Sequence, residues 1–341
     1  MPALLRVLLS IPLLLCIVPV AAQTTPPERP NVRFVVGGKS GVFYLPLTVT
    51  ERLGYFKEAG LNVEISDVQS GARALQSLIG GSADVGTGTF DHMIQVQAKG
   101  QDLTAVVQYG LYPGLVLAML TAKAGTYTSP KDLKGMKIGV TSPGSATHFM
   151  AAYLLVRNGL KADDASFIGV GITTTAVAAV RRGEIDALVS SDPAITTMLA
   201  DNLVKVVVDT RTGPGTQAVY GGPYPGGVVY ARSTFIEQNP RTAQALVTAF
   251  VRALKWISSH SIEELARLMP PEYALGNPVT YAQALAMSKP TYSQDGRFVT
   301  GAAETAHQFL KVFDPGVAAA TIDMSKTYTN RFVEQAHAAQ R

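Results

Sequence analysis

The feature that most constrains this chain is a strand–helix alternation that runs once, stops and starts again. From Val32 the residues read as strand (32–36), helix (45–57), strand (61–65), helix (72–79), strand (83–86), helix (91–99) and strand (103–108). The strands are short apolar runs bounded by turn residues, and the helices carry apolar residues at three- and four-residue spacing. A second series follows: strand 136–140, helix 145–158, strand 167–170, helix 174–182, strand 185–189, helix 194–202 and strand 204–208. Strand–helix–strand units close by right-handed crossovers into parallel sheets. The pattern therefore predicts two α/β lobes, each a mainly parallel sheet flanked by helices.

The Gly- and Pro-rich stretch 211–227 reads as a return crossing, and a short strand at 228–231 follows it. The expected division is 32–120 plus 224–341 for the first lobe and 121–223 for the second, with two crossings between them. Helices dominate from Pro240 onward, and Trp256 on the longest reads as core. An internal echo supports the doubling. Gly81-Ser82-Ala83-Asp84-Val85 and Gly183-Glu184-Ile185-Asp186-Ala187 each follow a helix with a Gly stop and an Asp-bearing strand start.

The N-terminus predicts export. Arg6 is the only charged residue before Glu28; an apolar run leads to Val20-Ala21-Ala22, with small residues placed for cleavage after Ala22. The run is shorter than a membrane span of about 20 residues and is interrupted by Ser10 and Pro12. Residues 1–22 are thus expected to be a signal peptide and 23–31 a Pro-rich linker, which places the mature chain in the periplasm. The single cysteine, Cys16, would leave with the signal, so the mature chain would hold no disulfide, thiolate nucleophile or Cys-type metal site. A net charge of +4 without a run of like charges gives no support to nucleic-acid binding.

Enzyme motifs fail at identifiable positions. Gly38-Lys39-Ser40 lacks the earlier Gly of a phosphate loop, because Arg33 stands there. Gly86-Thr87-Gly88 and Gly169-Val170-Gly171 lack the third Gly of a dinucleotide fingerprint, at Asp91 and Thr174. The five histidines show no metal-ligand spacing. No catalytic residue, metal or cofactor is expected, although His148 beside the cleft could serve as acid or base in an enzyme on the same fold.

The strongest local signal is Thr141–Thr147, Thr-Ser-Pro-Gly-Ser-Ala-Thr, between a strand and a helix. Free N–H groups at a helix start favour an anion, and Ser142, Ser145 and Thr147 add hydroxyls, with Gly144 and Ala146 leaving room. The same residues also suit an ordinary helix cap. Ligands of open α/β sheets sit beyond the carboxyl ends of the strands. Loops there carry Ser40, Gly41, Val42 and Phe43 after the first strand, Ser70 and Gly71 after the second, and Thr87, Gly88 and Thr89 at the third. Asp192 follows a strand of the second lobe, and Tyr109 and Tyr224 fall at the crossings. Phe43 and Tyr44 could instead pack a helix, Arg73 could be solvated and Asp192 could cap the helix after it.

The stretch 40–64, with Leu-Gly-Tyr-Phe-Lys-x-x-Gly-Leu-x-Val at 53–63, resembles the opening of the nitrate/sulfonate/taurine-type substrate-binding proteins of ABC transporters, a family that includes thiamine-pyrimidine-type binders. Ser70-Gly71, Lys131-Asp132-Leu133-Lys134-Gly135, Ile138-Gly139-Val140 and Arg182–Ala187 extend the similarity over about 32–260. Asp192-Pro193 departs from the Glu-Pro common in the family. The resemblance implies the two-lobed fold of type II periplasmic binding proteins and closure on a small, anionic and organic solute. It also implies delivery to permease and ATPase subunits, with the chain acting as a single copy. Pyrimidine synthases of the same fold rely on a cysteine-rich motif that this chain lacks. A solute-sensing subunit for a membrane receptor is the remaining alternative.

Overall fold

A computed structural model describes residues 25–339; the signal peptide read at 1–22 lies outside the described residues. Ten strands form two five-stranded sheets. The first contains β1 (Asn31–Val36), β2 (Asn62–Asp67), β3 (Val85–Thr89), β4 (Leu103–Gln108) and β10 (Gly227–Arg232), in the order β2-β1-β3-β10-β4. The second contains β5 (Val116–Leu120), β6 (Lys137–Val140), β7 (Ser166–Gly169), β8 (Ala187–Ser190) and β9 (Val204–Asp209), in the order β7-β6-β8-β5-β9. In each sheet the first three strands pair in parallel, and the fourth runs antiparallel to both of its neighbours. The two lobes therefore share one plan, and the chain has the two-lobed α/β fold expected from its sequence.

The echoed Asp residues do the same work in both lobes. Asp84 accepts from the backbone N–H of Arg33 at 3.0 Å and from its guanidinium. Asp186 accepts from the backbone N–H of Lys137 at 2.8 Å. Each carboxylate thus ties the start of β3 or β8 to the first part of its parallel neighbour, β1 or β6.

The boundary at residue 120 is corrected. The strand 116–120, absent from the sequence reading, belongs to the second lobe, where it lies between β8 and β9. Leu115–Leu120 is an unbroken apolar run, buried on both faces of the sheet from Leu115 to Met119. Such a run carries no period to reveal its type or its sheet. The outward crossing is accordingly the segment 109–115. It lies against the return crossing, with Gly110 N donating to Gly227 O at 3.0 Å and Gly226 N to Gly110 O at 3.0 Å. A Cβ on Gly226 would stand 2.1 Å from the Tyr112 carbonyl oxygen, so glycine permits this approach.

Three further details depart from expectation. Gly54, at φ +74°, splits the helix read at 45–57 into Leu45–Arg52 and Tyr55–Glu58. The return stretch contains the helix Gly213–Tyr220, capped by Thr212 Oγ1 accepting from Gly215 N. The segment read as a linker is docked by residue 28: Glu28 accepts from Thr242 N at 2.9 Å, and Asn31 already belongs to β1.

The first lobe's outer core packs β1 and β4 against the long helix Pro240–Ser259. That helix buries Leu246, Val247, Phe250, Val251, Leu254 and Ile257 on one stripe. A second apolar cluster runs through both lobes behind the cleft. There the helix Ala302–Phe313 places Phe309 4.6 Å from Tyr153 and 5.0 Å from Tyr220, ring centre to ring centre.

Candidate ligand-binding site

Between the lobes lies a narrow cavity of about 40 Å³ at the carboxyl ends of the strands. The first lobe lines it with Gly37, Phe43, Tyr44, Gly71, Thr89 and His92. The second lobe contributes Leu115, Thr141, Ser145, Ala146, Thr147, Ile172 and Ser191. A larger groove of about 410 Å³, lined in part by Gly38, Ser40, Thr173 and Arg182, lies beside it, and Ile172 lines both. Ile172 fills the space left by two glycines of the opposite lobe. A Cβ on Gly38 would stand 2.4 Å from Ile172 Cγ2, and one on Gly41 2.9 Å from Ile172 Cδ1.

The helix Ala146–Arg157 starts at this cavity. Ser145 is its N-cap, but the Ser145 side chain does not cap the helix amides. Its Oγ donates backward to Ser142 O at 2.7 Å and lies 2.6 Å from Thr141 Oγ1. Thr147 Oγ1 accepts from Thr141 N at 2.9 Å. The hydroxyls therefore hold the loop in shape. The amides of Ala146, Thr147 and His148 have no acceptor within the helix, since these are its first-turn donors, and the positive end of the helix dipole points the same way.

His92 was not among the expected site residues. It lies on the helix Asp91–Gln97, is 1 % exposed, and neither ring nitrogen has a hydrogen-bond partner among the described residues. Burial holds its pKa below the ordinary imidazole range; the Asp91 carboxylate and the backbone at Gly144 oppose this. The ring packs edge-on to Phe149 of the second lobe at 6.2 Å. Asp91 itself is 1 % exposed and accepts from Thr89 Oγ1 at 2.5 Å and from Tyr224 OH at 3.3 Å. Burial pushes the Tyr44 hydroxyl well above its ordinary pKa, reinforced by Asp67 and Asp91, so it remains a neutral donor. One signal for His92 existed in the sequence: it stands three residues beyond Thr89, in the first turn of the helix after β3.

The lobes also touch directly. Ser142 Oγ donates to Ser70 Oγ at 2.9 Å, Ser40 Oγ lies 3.2 Å from Thr173 Oγ1, and Val42 N donates to Asp192 O at 2.9 Å. Among the expected residues, Phe43, Gly71, Thr89, Ser145, Ala146 and Thr147 line the inner cavity. Ser40 lines the outer groove, while Gly41, Val42, Ser70 and Ser142 join the lobes around it.

The remaining expected residues face elsewhere. The Asp192 carboxylate caps the following helix, accepting from Thr196 N and Oγ1, and pairs with Arg211 at 3.1 Å and Ser288 Oγ at 3.1 Å. Its four lone-pair sites are thereby committed to the protein. Thr87 Oγ1 bonds Val228 O and Tyr109 OH, both at 2.9 Å. Tyr109 packs on Phe43 and Phe250. Tyr224 stacks on Tyr220 and reaches Asp91. Gly144 N donates to His148 Nδ1 at 3.1 Å, and that ring packs edge-on to Phe167, so His148 lies outside the cavity wall. Gly88 lies beside His92 and Tyr230 rather than on the wall itself. Exposed Arg73 bonds Gln69. Among the described residues no cluster of three or more His, Cys, Asp or Glu is arranged to hold a metal, and no helix is long and apolar enough to cross a membrane.

Comparison with known proteins joins these features to a family. A solved structure from Bordetella bronchiseptica RB50 superposes with a TM-score of 0.90 at 41 % identity, over 93 % of this chain and 99 % of that one. The taurine-binding periplasmic protein of Escherichia coli is 27 % identical over 291 residues, 82 % of this chain and 86 % of that one. The 4-amino-5-hydroxymethyl-2-methylpyrimidine phosphate synthase of Aspergillus parasiticus is 22 % identical over 259 residues, 73 % of each. The family model described as NMT1/THI5 like matches residues 44–263, and the chain, with its two lobes and its cavity between them, belongs to that family.

Proposed function

We propose that this chain is the solute-binding component of an ABC importer, working in the periplasm and handing its solute to a permease driven by an ATPase. The observation that carries the reading is the cavity between the lobes, closed over the start of the helix Ala146–Arg157, which no side chain caps. A helix start with free amides suits a small anion, and the apolar walls Phe43, Leu115 and Ile172 suit an organic body behind a carboxylate or sulfonate. The taurine-binding relative points to the same class of solute.

Capture proceeds by closure. The two crossings lie side by side, so the lobes can rotate about one short paired segment. The contacts Ser142–Ser70, Ser40–Thr173 and Val42–Asp192 form as the cleft shuts. A solute touching both lobes binds the closed form better and shifts the population toward it.

The synthase relatives keep an enzyme in view. Two observations favour the binder. The only cysteine in the chain is Cys16, so no cysteine-rich motif is present. His148, the side chain that could have served as acid or base, stands outside the cavity wall. The test is thermal unfolding and calorimetry of the full chain with taurine, ethanesulfonate, acetate, nitrate and bicarbonate. One of them raises the melting temperature in a saturable way, by an amount corresponding to about 2.7 kcal/mol at a hundredfold excess over Kd, and is recovered unchanged. Consumption of the solute would overturn the binder; an unmoved melting temperature across all five would overturn the anion.

A further inference from the structure

Two buried polar groups in the first lobe pack beside the bare Cα of Gly88. A Cβ on Gly88 would stand 3.2 Å from Tyr230 OH and 3.6 Å from His92 Nδ1. Neither the Tyr230 hydroxyl nor either His92 nitrogen makes a hydrogen bond of normal geometry among the described residues, the Gly144 backbone lying near the imidazole without meeting it, and the two residues are 0 % and 1 % exposed. A Cβ on the neighbouring Gly71 would stand 3.4 Å from His92 Cε1 and 3.8 Å from Tyr44 OH. The imidazole is thus flanked by two glycines and two tyrosine hydroxyls. His92, Tyr44 and Gly71 all line the cavity that the helix start Ser145–Thr147 closes from the other side. Unpaired buried donors are rare in native proteins, because each forfeits its hydrogen bonds to water. A cluster of them beside a cavity marks where a partner belongs.

We propose that the oxygen-bearing end of the solute is received on the first lobe by His92 and Tyr44, over the side-chain-free surface of Gly71, with the helix start of the second lobe opposite. The proposal rests on the solute-binding reading of this cavity and names the residues that select its head. All the donors are neutral and no Lys or Arg lines the cavity. With Asp91 buried beside His92, the set suits a head carrying one negative charge spread over two or three oxygens, a carboxylate or a sulfonate. Glycine is required at 71 because a Cβ there would project beside His92 Cε1, at 3.4 Å, and narrow the cavity in front of the imidazole.

The test is calorimetry of the full chain and its His92→Leu, His92→Gln and Gly71→Ala variants with the same five anions, alongside the melting temperature of each variant without solute. For the anion that the unaltered chain binds, His92→Leu weakens binding at least tenfold. His92→Gln, which keeps a donor, falls between, and Gly71→Ala weakens binding by narrowing the cavity beside the imidazole. Without solute, His92→Leu melts at the same temperature or about 2–4 °C higher, because it removes an unpaired buried group. Binding by His92→Leu within twofold of the unaltered chain would overturn the assignment while leaving the cavity a solute site. A solute-free melting temperature more than about 2 °C lower would overturn it by showing that His92 serves the fold. Binding of none of the five by the unaltered chain would remove the solute class on which both readings stand.

Discussion

The two lobes share one strand plan and present opposite kinds of chemistry to the cleft. The first lobe offers side chains: Phe43 and Tyr44 reach the cavity from the helical turn after β1, and His92 from the first turn of the helix after β3. The second lobe offers main chain: the first turn of the helix Ala146–Arg157, on a loop whose hydroxyls are spent on one another. A doubled architecture thus fixes where a ligand sits without fixing how each half holds it. The framework contacts remain equivalent, as Asp84 on Arg33 and Asp186 on Lys137 show, while the loops at the strand ends diverge. Closure must bring unlike surfaces together, and a solute that meets only one of them has no reason to favour the closed form.

The contrast is broken most strongly at Asp192. If that side chain served the solute, removing it would affect binding first. The structure places it in a buried pair with Arg211, both side chains at most 5 % exposed, and on the cap of the next helix. Asp192→Ala should therefore destabilise the chain by about 3 kcal/mol, the low end for breaking a buried pair, because Arg211 keeps Asp209. Urea unfolding checks this, and the solute affinity of the fraction still folded should change less than threefold.

Next in size is the main-chain half of the site. Ala146 occupies the first helical position, where proline is tolerated, and Ser145 before it is already extended at φ −98°, ψ 166°. Ala146→Pro removes one amide donor and spares the helix. Binding of an anion should weaken by about 1.5–3 kcal/mol, roughly 10- to 150-fold, with the melting temperature little changed. Undiminished affinity by calorimetry would take the helix start out of the site.

The closure contacts come third. Ser142→Ala deletes the hydrogen bond to Ser70 across the cleft. It should shift the open–closed balance by about 1 kcal/mol toward open, read by solution scattering with saturating solute. The smallest effect is in pH. The pKa of His92 is depressed by burial, so the folded state resists a proton that the unfolded state accepts below about pH 6.5. Stability should therefore fall as pH is lowered through that value toward the folded-state pKa. His148 and His307, also depressed by burial, contribute with the same sign. His92→Gln should flatten part of the slope between pH 7.5 and 5.5, and an unaltered slope would show that His92 titrates freely in the folded chain.

Much of the framework was legible because it depends on local patterns. Strand 103–108 matches the structure residue for residue, and most other elements fall within three residues of their expected ends. The failures came where neighbours in space decide. The strand 116–120 is apolar on both faces, so nothing in it says which sheet it will enter. Asp192 stands after a strand of the second lobe, where ligand contacts are common, but Arg211 and Ser288, from distant parts of the chain, claim its carboxylate.

The sequence by itself determined that the chain folds as two α/β lobes, that loops rich in Gly, Ser and Thr meet at the strand ends, and that a helix begins at Ser145. Those follow from hydrophobic period, glycine and capping chemistry, which act over a few residues. The tertiary structure alone decided which polar groups are left without a partner. The sequence marks His92 only by its place in the first turn of the helix after β3. Its two unsatisfied nitrogens exist only because Gly71, Gly88, Tyr44, Tyr230 and Phe149 converge around it from both lobes. Whether a buried donor is satisfied depends on every atom near it, and no local pattern encodes that.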